Sequence, residues 1–125
     1  MNSLLPLHKQ KLGKLGEDLA VSYLQKHGYR VIDRNFKARY GELDIICVKD
    51  NVLIFVEVKT RIGRAYGEPE ESVTPWKLRE VVKTSQYYVV THQGLPEAER
   101  IDVIGIELDE GDKVVSFRHI KSVTS

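Results

Sequence analysis

Two stretches of the chain repeat apolar residues at the spacing of a helix. The first predicts a helix over residues 9–27, which Gly28 would end because glycine readily takes the left-handed conformation after a last turn. The second predicts a helix that begins with Thr74 as N-cap and Pro75 at the first helical position, and that ends near Gly94. The two apolar stripes are Leu12, Leu15, Leu19, Ala20, Tyr23 and Leu24, and then Leu78, Val81, Val82, Ser85 and Val89.

The other apolar runs are short and rich in Val, Ile and Phe, which is typical of strands. They predict strands over residues 29–35, 100–108 and 113–123, the last at a sheet edge, and a hairpin over residues 41–61. The order helix, three strands, helix, two strands predicts an α/β fold with a mixed sheet of about five strands flanked by two main helices. The sheet would be mixed because the hairpin is antiparallel, whereas the crossover through the second helix permits a parallel neighbour.

The predicted hairpin determines which side chains face each other. If residues 50–51 form the loop, Asp44 lies opposite Glu57, and Glu42 lies opposite Lys59. A four-residue loop preserves this pairing. All four side chains would then project from one face, because side chains alternate along a strand. A loop one residue longer or shorter would instead place Asp44 and Glu57 on opposite faces.

Negatively charged side chains within these apolar strands need a neighbouring positive charge. Two like charges directly opposite each other destabilise a sheet. For Asp44 and Glu57 the candidates are the positive charge of Lys59 and a bound divalent cation, since hard ions such as Mg²⁺ take carboxylate oxygens. Asp102, at the start of another apolar strand, is expected to pair with Arg100, which lies two residues away on the same face.

The composition is typical of a globular protein, with 42% hydrophobic and 30% charged residues, and 125 residues suit one domain over 1–125. The start has no signal-peptide pattern and no run approaches about eighteen apolar residues, so we expect a cytoplasmic protein outside the membrane. The lone cysteine, Cys47, shares strand parity with Leu43 and Ile45 and is expected to be buried. Four scattered histidines lack metal-ligand spacing, which argues against a zinc site.

Charge is unevenly distributed, although the formal net charge is only +1. Up to Arg39 the chain carries eight basic and three acidic residues, whereas acids dominate residues 68–71 and 107–112. A basic segment before an acidic site suits a protein that handles phosphodiesters, because it attracts the backbone while a metal site stays anionic. An ordinary solvated helix face is the alternative. Glu17, at the flank of the first apolar stripe, could reach the sheet or remain a solvated carboxylate.

The loop over residues 61–73 follows the second hairpin strand directly and is well placed to contact a substrate. Its two glycines and one proline indicate irregular structure. Arg61 and Arg64 offer phosphate contacts and Tyr66 offers a stacking surface. A disordered connection is the alternative.

Glu17 from the first helix, Asp44 from one strand and Glu57-Val58-Lys59 from the next resemble the PD-(D/E)XK nuclease superfamily, whose members share a restriction-endonuclease-like core. Leu43 stands where that superfamily usually has proline. The closer resemblance is to the YraN-like family of small bacterial proteins, which are similar to Holliday junction resolvases. The segments that carry it are Gly16-Glu17-x-x-Ala20, Gly28-Tyr29, Arg34-Asn35, Gly41-Glu42-Leu43-Asp44, Phe55-Val56-Glu57-Val58-Lys59-x-Arg61, Tyr66-Gly67, Lys77 and Arg100-x-Asp102-Val103.

The resemblance implies a metal-dependent endonuclease that hydrolyses DNA phosphodiester bonds, with branched DNA as one substrate. Asp44 and Glu57 would bind Mg²⁺ or Mn²⁺, helped by a backbone carbonyl next to Glu57, and Glu17 would contribute directly or through water. Lys59 would orient or help deprotonate the attacking water and offset phosphate charge. Glu42 matches the family but not the superfamily core, so we expect it to pair with Lys59.

A nucleic-acid-binding protein that does not cut is the competing class. The intact Asp44, Glu57 and Lys59 favour the enzyme, because a binder gains nothing from opposing two carboxylates near a phosphate. Resolvase-like action on two strands would favour a homodimer. The candidate nucleic-acid contacts are Arg39, Arg61, Arg64, Tyr66 and Lys77.

Overall fold

The computed structural model describes residues 5–63 and 67–124, so Arg64 and Tyr66 lie outside the described residues. Helix α1 begins four residues before the predicted start, and the strands lie close to their predicted positions. The elements are α1 (Leu5–Lys26), β1 (Arg30–Ala38), β2 (Gly41–Lys49), β3 (Val52–Ile62), a short 3₁₀ helix (Pro69–Ser72), α2 (Pro75–Thr91), β4 (Ala98–Leu108) and β5 (Val114–Ile120).

The five strands form one sheet in the order β1-β2-β3-β4-β5. Strands β3 and β4 are parallel and are connected through α2, whereas the other neighbours are antiparallel. The structure therefore confirms the predicted α/β fold with a mixed five-stranded sheet, including the parallel pair and the edge position of β5. Among the described residues, no helix combines the length and apolarity needed to cross a membrane.

Local backbone preferences explain where the elements begin and end. Gly28, with φ of 85°, follows α1, and the Thr74 hydroxyl accepts a hydrogen bond from the Lys77 amide at the start of α2. Asp50 and Asn51 both have positive φ, 51° and 62°, as the two central residues of a type I′ hairpin turn require. This two-residue turn fixes the predicted β2–β3 register.

The sheet is covered by one helix on each face. The α1 face buries Ala20 and Leu24 against the sheet, and the α2 face buries Val81 and Tyr88. Thr84 and Tyr88 are buried although the predicted stripe of α2 omitted them. Thr84 is tolerated there because its hydroxyl donates to the Glu80 carbonyl oxygen within the helix.

Candidate active site

Strands β2 and β3 pair for only part of their length. Their ladder has the predicted register from Lys49↔Val52 to Ile45↔Val56, and Ile45↔Val56 is its last pair. Beyond that pair β3 continues to Ile62 beside β4, while β2 continues to Gly41 beside β1. The two hairpin strands therefore separate at the predicted acids.

The carboxylates of Asp44 and Glu57 bridge the opening. The Val58 amide donates to Oδ2 of Asp44 at 2.8 Å, and the Asp44 amide is 3.4 Å from Oε2 of Glu57. The carboxylate oxygens thus accept hydrogen bonds from the backbone amides of Asp44 and Val58, which lie beyond the last pair of the β2–β3 ladder. These bonds use Oδ2 and Oε2, and the second oxygen of each carboxylate is the candidate ligand atom for a cation.

The alternation of side chains breaks at Asp44. Leu43 packs in the cluster under α2, whereas Ile45 and Cys47 pack in the cluster under α1. The prediction that Leu43 shares a face with Ile45 and Cys47 is therefore wrong. On β1 the residue across from Asp44 is Asn35, whose φ of 53° interrupts that strand at the same point. The burial of Cys47 is confirmed.

The strand separation also changes the predicted partner of Lys59. Glu42 and Lys59 form no ion pair among the described residues, because the β2–β3 ladder does not reach them. Glu42 instead acts on Asp44, whose carboxyl pKa its charge helps to raise.

Burial and mutual repulsion perturb both acids. Burial raises the pKa of Asp44; the hydrogen bond from Val58 works against this rise, and the charge of Glu17 adds to it. Glu57 is 2% exposed, and burial, followed by the charge of Asp44, raises its pKa as well. Positive charges on Lys77 and Lys59 oppose the shift of Glu57. The two carboxylates therefore repel each other, and the positive charges of Lys59 and Lys77 offset only part of this repulsion.

Helix α1 brings Glu17 to the pair. Gly16 lies so close to β3 that a Cβ there would overlap the hydroxyl of Thr60, and this contact allows the next residue to reach the sheet. Oε1 of Glu17 accepts from Arg34 Nε at 3.1 Å and from Asn35 Nδ2 at 2.9 Å. Sequence reasoning had assigned no role to these two donors, although both belong to the segments that carry the family resemblance.

The carboxylate oxygens of Asp44 and Glu57 are suitable ligands for a hard divalent cation. Mg²⁺ is usually held by one or two carboxylates and keeps several waters. Asp44 and Glu57 are two acids placed close together against their repulsion, which a bound cation would offset. Within residues 5–63 and 67–124, no three His, Cys, Asp or Glu side chains are grouped to hold a metal ion, so Glu17 does not complete a three-residue cluster with them.

Basic side chains border the site in a groove between the start of α1 and the end of β3. One cavity of about 600 Å³ is lined by Lys9, Lys59 and Arg61, among others. A neighbouring cavity of about 300 Å³ shares Lys9 and adds Lys14 and Arg34. The larger cavity is thus cationic, whereas the smaller one is also lined by Glu17, which together with Asp18 pairs with Arg34. Sequence reasoning had counted the basic residues of this segment without locating them.

The other predicted contacts lie around the same end of the sheet. Arg61 is on β3 and lines the larger cavity, and Lys77 is in the first turn of α2, close enough to Glu57 to act on its pKa. Arg39 is exposed in the β1–β2 turn, where its guanidinium lies 5.8 Å from the centre of the Tyr40 ring.

Asp102 belongs to a separate buried network. The predicted pair is confirmed, because Arg100 Nε donates to Asp102 Oδ1 at 2.9 Å. Asp102 Oδ2 also lies 2.8 Å from Nε2 of His119, whose Nδ1 is 3.0 Å from the hydroxyl of Tyr23. Burial alone would raise the pKa of Asp102, but these hydrogen bonds, with one from the Ser122 amide, hold it below its usual value. The network joins β4, β5 and α1.

Fold and site together define an α/β protein whose mixed five-stranded sheet opens between two strands around one buried and one half-buried carboxylate. A family model described as "Uncharacterised protein family UPF0102" matches residues 16–106. The chain therefore belongs to the UPF0102 family, which confirms the resemblance to YraN-like proteins.

Three bacterial relatives illustrate the similarity. A UPF0102 protein of Syntrophomonas wolfei is 44% identical over 108 residues, which cover 86% of this chain and 93% of the relative. A UPF0102 protein of Geobacter metallireducens is 41% identical over 102 residues, covering 82% and 84%. A UPF0102 protein of Caldicellulosiruptor saccharolyticus is 35% identical over 116 residues, covering 93% and 98%. The similarity thus extends over most of each chain.

Proposed function

We propose that this protein is a metal-dependent endonuclease that hydrolyses phosphodiester bonds in DNA, with branched DNA among its substrates. The observation that carries the proposal is the pairing of buried Glu57 with half-buried Asp44 at the separation of β2 and β3, with Lys59 two residues after Glu57. A structural protein has no need to place two acids together there, because the arrangement costs stability.

Asp44 and Glu57 would hold Mg²⁺ or Mn²⁺ through the oxygens that their backbone hydrogen bonds do not use. The bound cation would polarise a phosphoryl oxygen and lower the pKa of a water molecule. Glu17 would act through water, since among the described residues it is not grouped with Asp44 and Glu57 closely enough for the three to share a metal ion. Lys59 would orient the attacking water and offset the charge of the phosphate.

The groove supplies the attraction for the substrate. Lys9, Lys59 and Arg61 line its larger cavity, and this positive charge complements a phosphate backbone. Beside the smaller cavity, Glu17 and Asp18 offset the charge of Arg34. The exposed Arg39, together with Lys77 near Glu57, would extend the contact, and Arg64 and Tyr66 remain candidates by sequence. The same charge supports the second candidate function, binding of nucleic acid without cleavage.

The test is cleavage of end-labelled single-stranded, duplex and four-way-junction DNA with Mg²⁺, Mn²⁺ or chelator. We expect the wild type to cut DNA when Mg²⁺ or Mn²⁺ is present and not in chelator. Asp44→Asn and Lys59→Ala should lose most of this activity while remaining folded. Asp112→Asn, an exposed acid changed to an amide, is the matched control. If no DNA is cut with either metal but DNA binding weakens as salt rises, the non-cutting function replaces this proposal.

Two cuts in a branched substrate would need two sites, which a homodimer would supply. Sedimentation of the protein with and without four-way-junction DNA tests this part. A dimer on the junction is expected, and a monomer that still makes paired cuts would contradict it.

A further inference from the structure

The outward face of α2 carries an exposed stripe of aromatic and basic side chains. We define the α2 stripe as Trp76, Arg79, Lys83 and Tyr87. At 100° per residue these four positions lie within about 80° of one another around the helix axis. The α2 side chains that pack under the helix point the other way, and among the described residues only Tyr87 of the stripe approaches the core, with its ring centre 6.2 Å from that of Phe36.

The exposure of the two aromatic residues is unusual. Trp76 is 65% exposed and Tyr87 is 48% exposed, although large aromatic side chains usually bury most of their surface. They are eleven residues apart, which corresponds to about 16 Å along the helix. The spacing leaves room for several nucleotide bases between the two rings.

The charges of α2 favour a polyanion as the occupant. The guanidinium of Arg79 lies 5.9 Å from the centre of the Trp76 ring, and Lys83 lies between the two aromatic residues along the stripe. The helix has one acid, Glu80, against three basic residues. Two aromatic rings with two cations between them fit unpaired bases on a phosphate backbone, and Glu80 lies at the edge of the stripe, about 20° beyond Tyr87 around the helix axis.

A second aromatic–guanidinium pair lies beside the same helix. Tyr40 is 53% exposed, and the Arg39 guanidinium is 5.8 Å from the centre of its ring. The following residue, Gly41, lies against the middle of α2, where an added Cβ would be 3.1 Å from the Thr84 hydroxyl. One pair therefore lies on α2 and the other beside it, and both are close in sequence to residues of the candidate site: Trp76 directly precedes Lys77, and Tyr40 lies two residues before Glu42.

From these observations we infer that the α2 stripe, with Arg39 and Tyr40, is a stacking surface for unpaired nucleotides of a single DNA strand. The inference rests on the proposed function for the identity of its ligand, DNA. It adds that single-stranded segments bind beside the candidate site, so that DNA with an unpaired arm is preferred over a continuous duplex.

Trp76 makes the inference directly measurable, because it is the only tryptophan of the chain. Its fluorescence would be followed in chelator, where no cutting is expected, with oligothymidine of about 12 nucleotides, an abasic oligonucleotide of equal length, and a duplex. We expect oligothymidine to quench the fluorescence with an affinity that falls as salt rises. The abasic strand and the duplex should quench much less.

Variants then separate stacking from folding, with affinity measured by the anisotropy of labelled oligothymidine. Trp76→Ala and Tyr87→Ala should each weaken binding roughly fivefold or more, and Trp76→Phe should restore most of it, since phenylalanine keeps a stacking ring. Val115→Ala, an exposed apolar change on β5, should leave binding unchanged.

Three results would overturn the inference: equal quenching by the abasic strand, equal or tighter binding of the duplex, or unaltered affinity in both alanine variants. The proposed function fails separately, through absence of metal-dependent cutting. If oligothymidine quenches the fluorescence but no DNA is cut, the stacking surface stands and the nuclease proposal fails. If DNA is cut but the fluorescence is not quenched, the nuclease proposal stands and the stacking surface fails.

Discussion

The close carboxylates of Asp44 and Glu57 should make the wild type less stable than a variant that lacks one of the charges. In Asp44→Asn the amide oxygen can still accept from Val58, so the 2.8 Å hydrogen bond is kept while the repulsion with Glu57 is removed. At neutral pH the folded wild type must either keep both carboxylates ionised or protonate one of them. Either option raises the free energy of the folded state relative to the unfolded state.

The magnitude follows from the closeness of the two carboxylates, since Glu57 reaches the Asp44 amide and Asp44 reaches the Val58 amide next to Glu57. Two charges about 5 Å apart in an effective dielectric of about 20 repel by about 3 kcal/mol. Lys59 and Lys77 offset part of this, so we expect Asp44→Asn to gain about 1–3 kcal/mol, or a rise in Tm of roughly 5–10 °C.

The gain should depend on pH with a definite sign. The folded-state pKa values of Asp44 and Glu57 are raised above their ordinary values of 3.8 and 4.5. The loss of stability is therefore absent at a pH where both acids are protonated in the folded and in the unfolded protein. It grows as the pH rises above the ordinary pKa values of the two acids.

The assay is thermal unfolding in chelator at several pH values, with Asp112→Asn as the surface control. The difference in Tm between Asp44→Asn and wild type should be small near pH 4 and largest near pH 8. A variant less stable than wild type at pH 8, or a gain independent of pH, would refute this reasoning.

Three further changes test the fold around the site. Asp102→Asn should cost about 3–5 kcal/mol in urea unfolding, because it removes the buried charge that pairs with Arg100 and replaces one acceptor oxygen with an amide donor. In the wild type this contribution should be lost as pH falls through the lowered pKa of Asp102, below 3.8. Gly16→Ala should cost about 1–3 kcal/mol by overlap with Thr60, and less in a Thr60→Ala background. Cys47 should resist thiol reagents until the protein unfolds, because burial raises its pKa to about 12.

The fold was predictable because its signals are local. Helical spacing located both helices, and the two residues of the hairpin tip sufficed to set the β2–β3 register, since Asp50 and Asn51 can both adopt positive φ. The length of the crossover permitted a parallel neighbour, and β3 and β4 form such a pair.

The site was predictable only in part, because its decisive features are not local. Alternation along β2 placed Leu43 with Ile45, but the strand changes face at Asp44, where the ladder to β3 ends. That ending depends on the backbone partners of each strand. Likewise, Asp102 meets His119, which lies seventeen residues away on β5, and no pattern within either strand indicates the contact.

The central claim is that Asp44 and Glu57 hold a divalent cation beside a phosphodiester. The most direct measurement is binding of Mn²⁺ followed by electron paramagnetic resonance, with a phosphorothioate oligonucleotide that resists cleavage present throughout. We predict that wild type and Asp112→Asn bind Mn²⁺ alike and that Asp44→Asn binds it far more weakly, because one of the two carboxylate ligands is lost. Equal Mn²⁺ binding by Asp44→Asn and wild type would contradict the account.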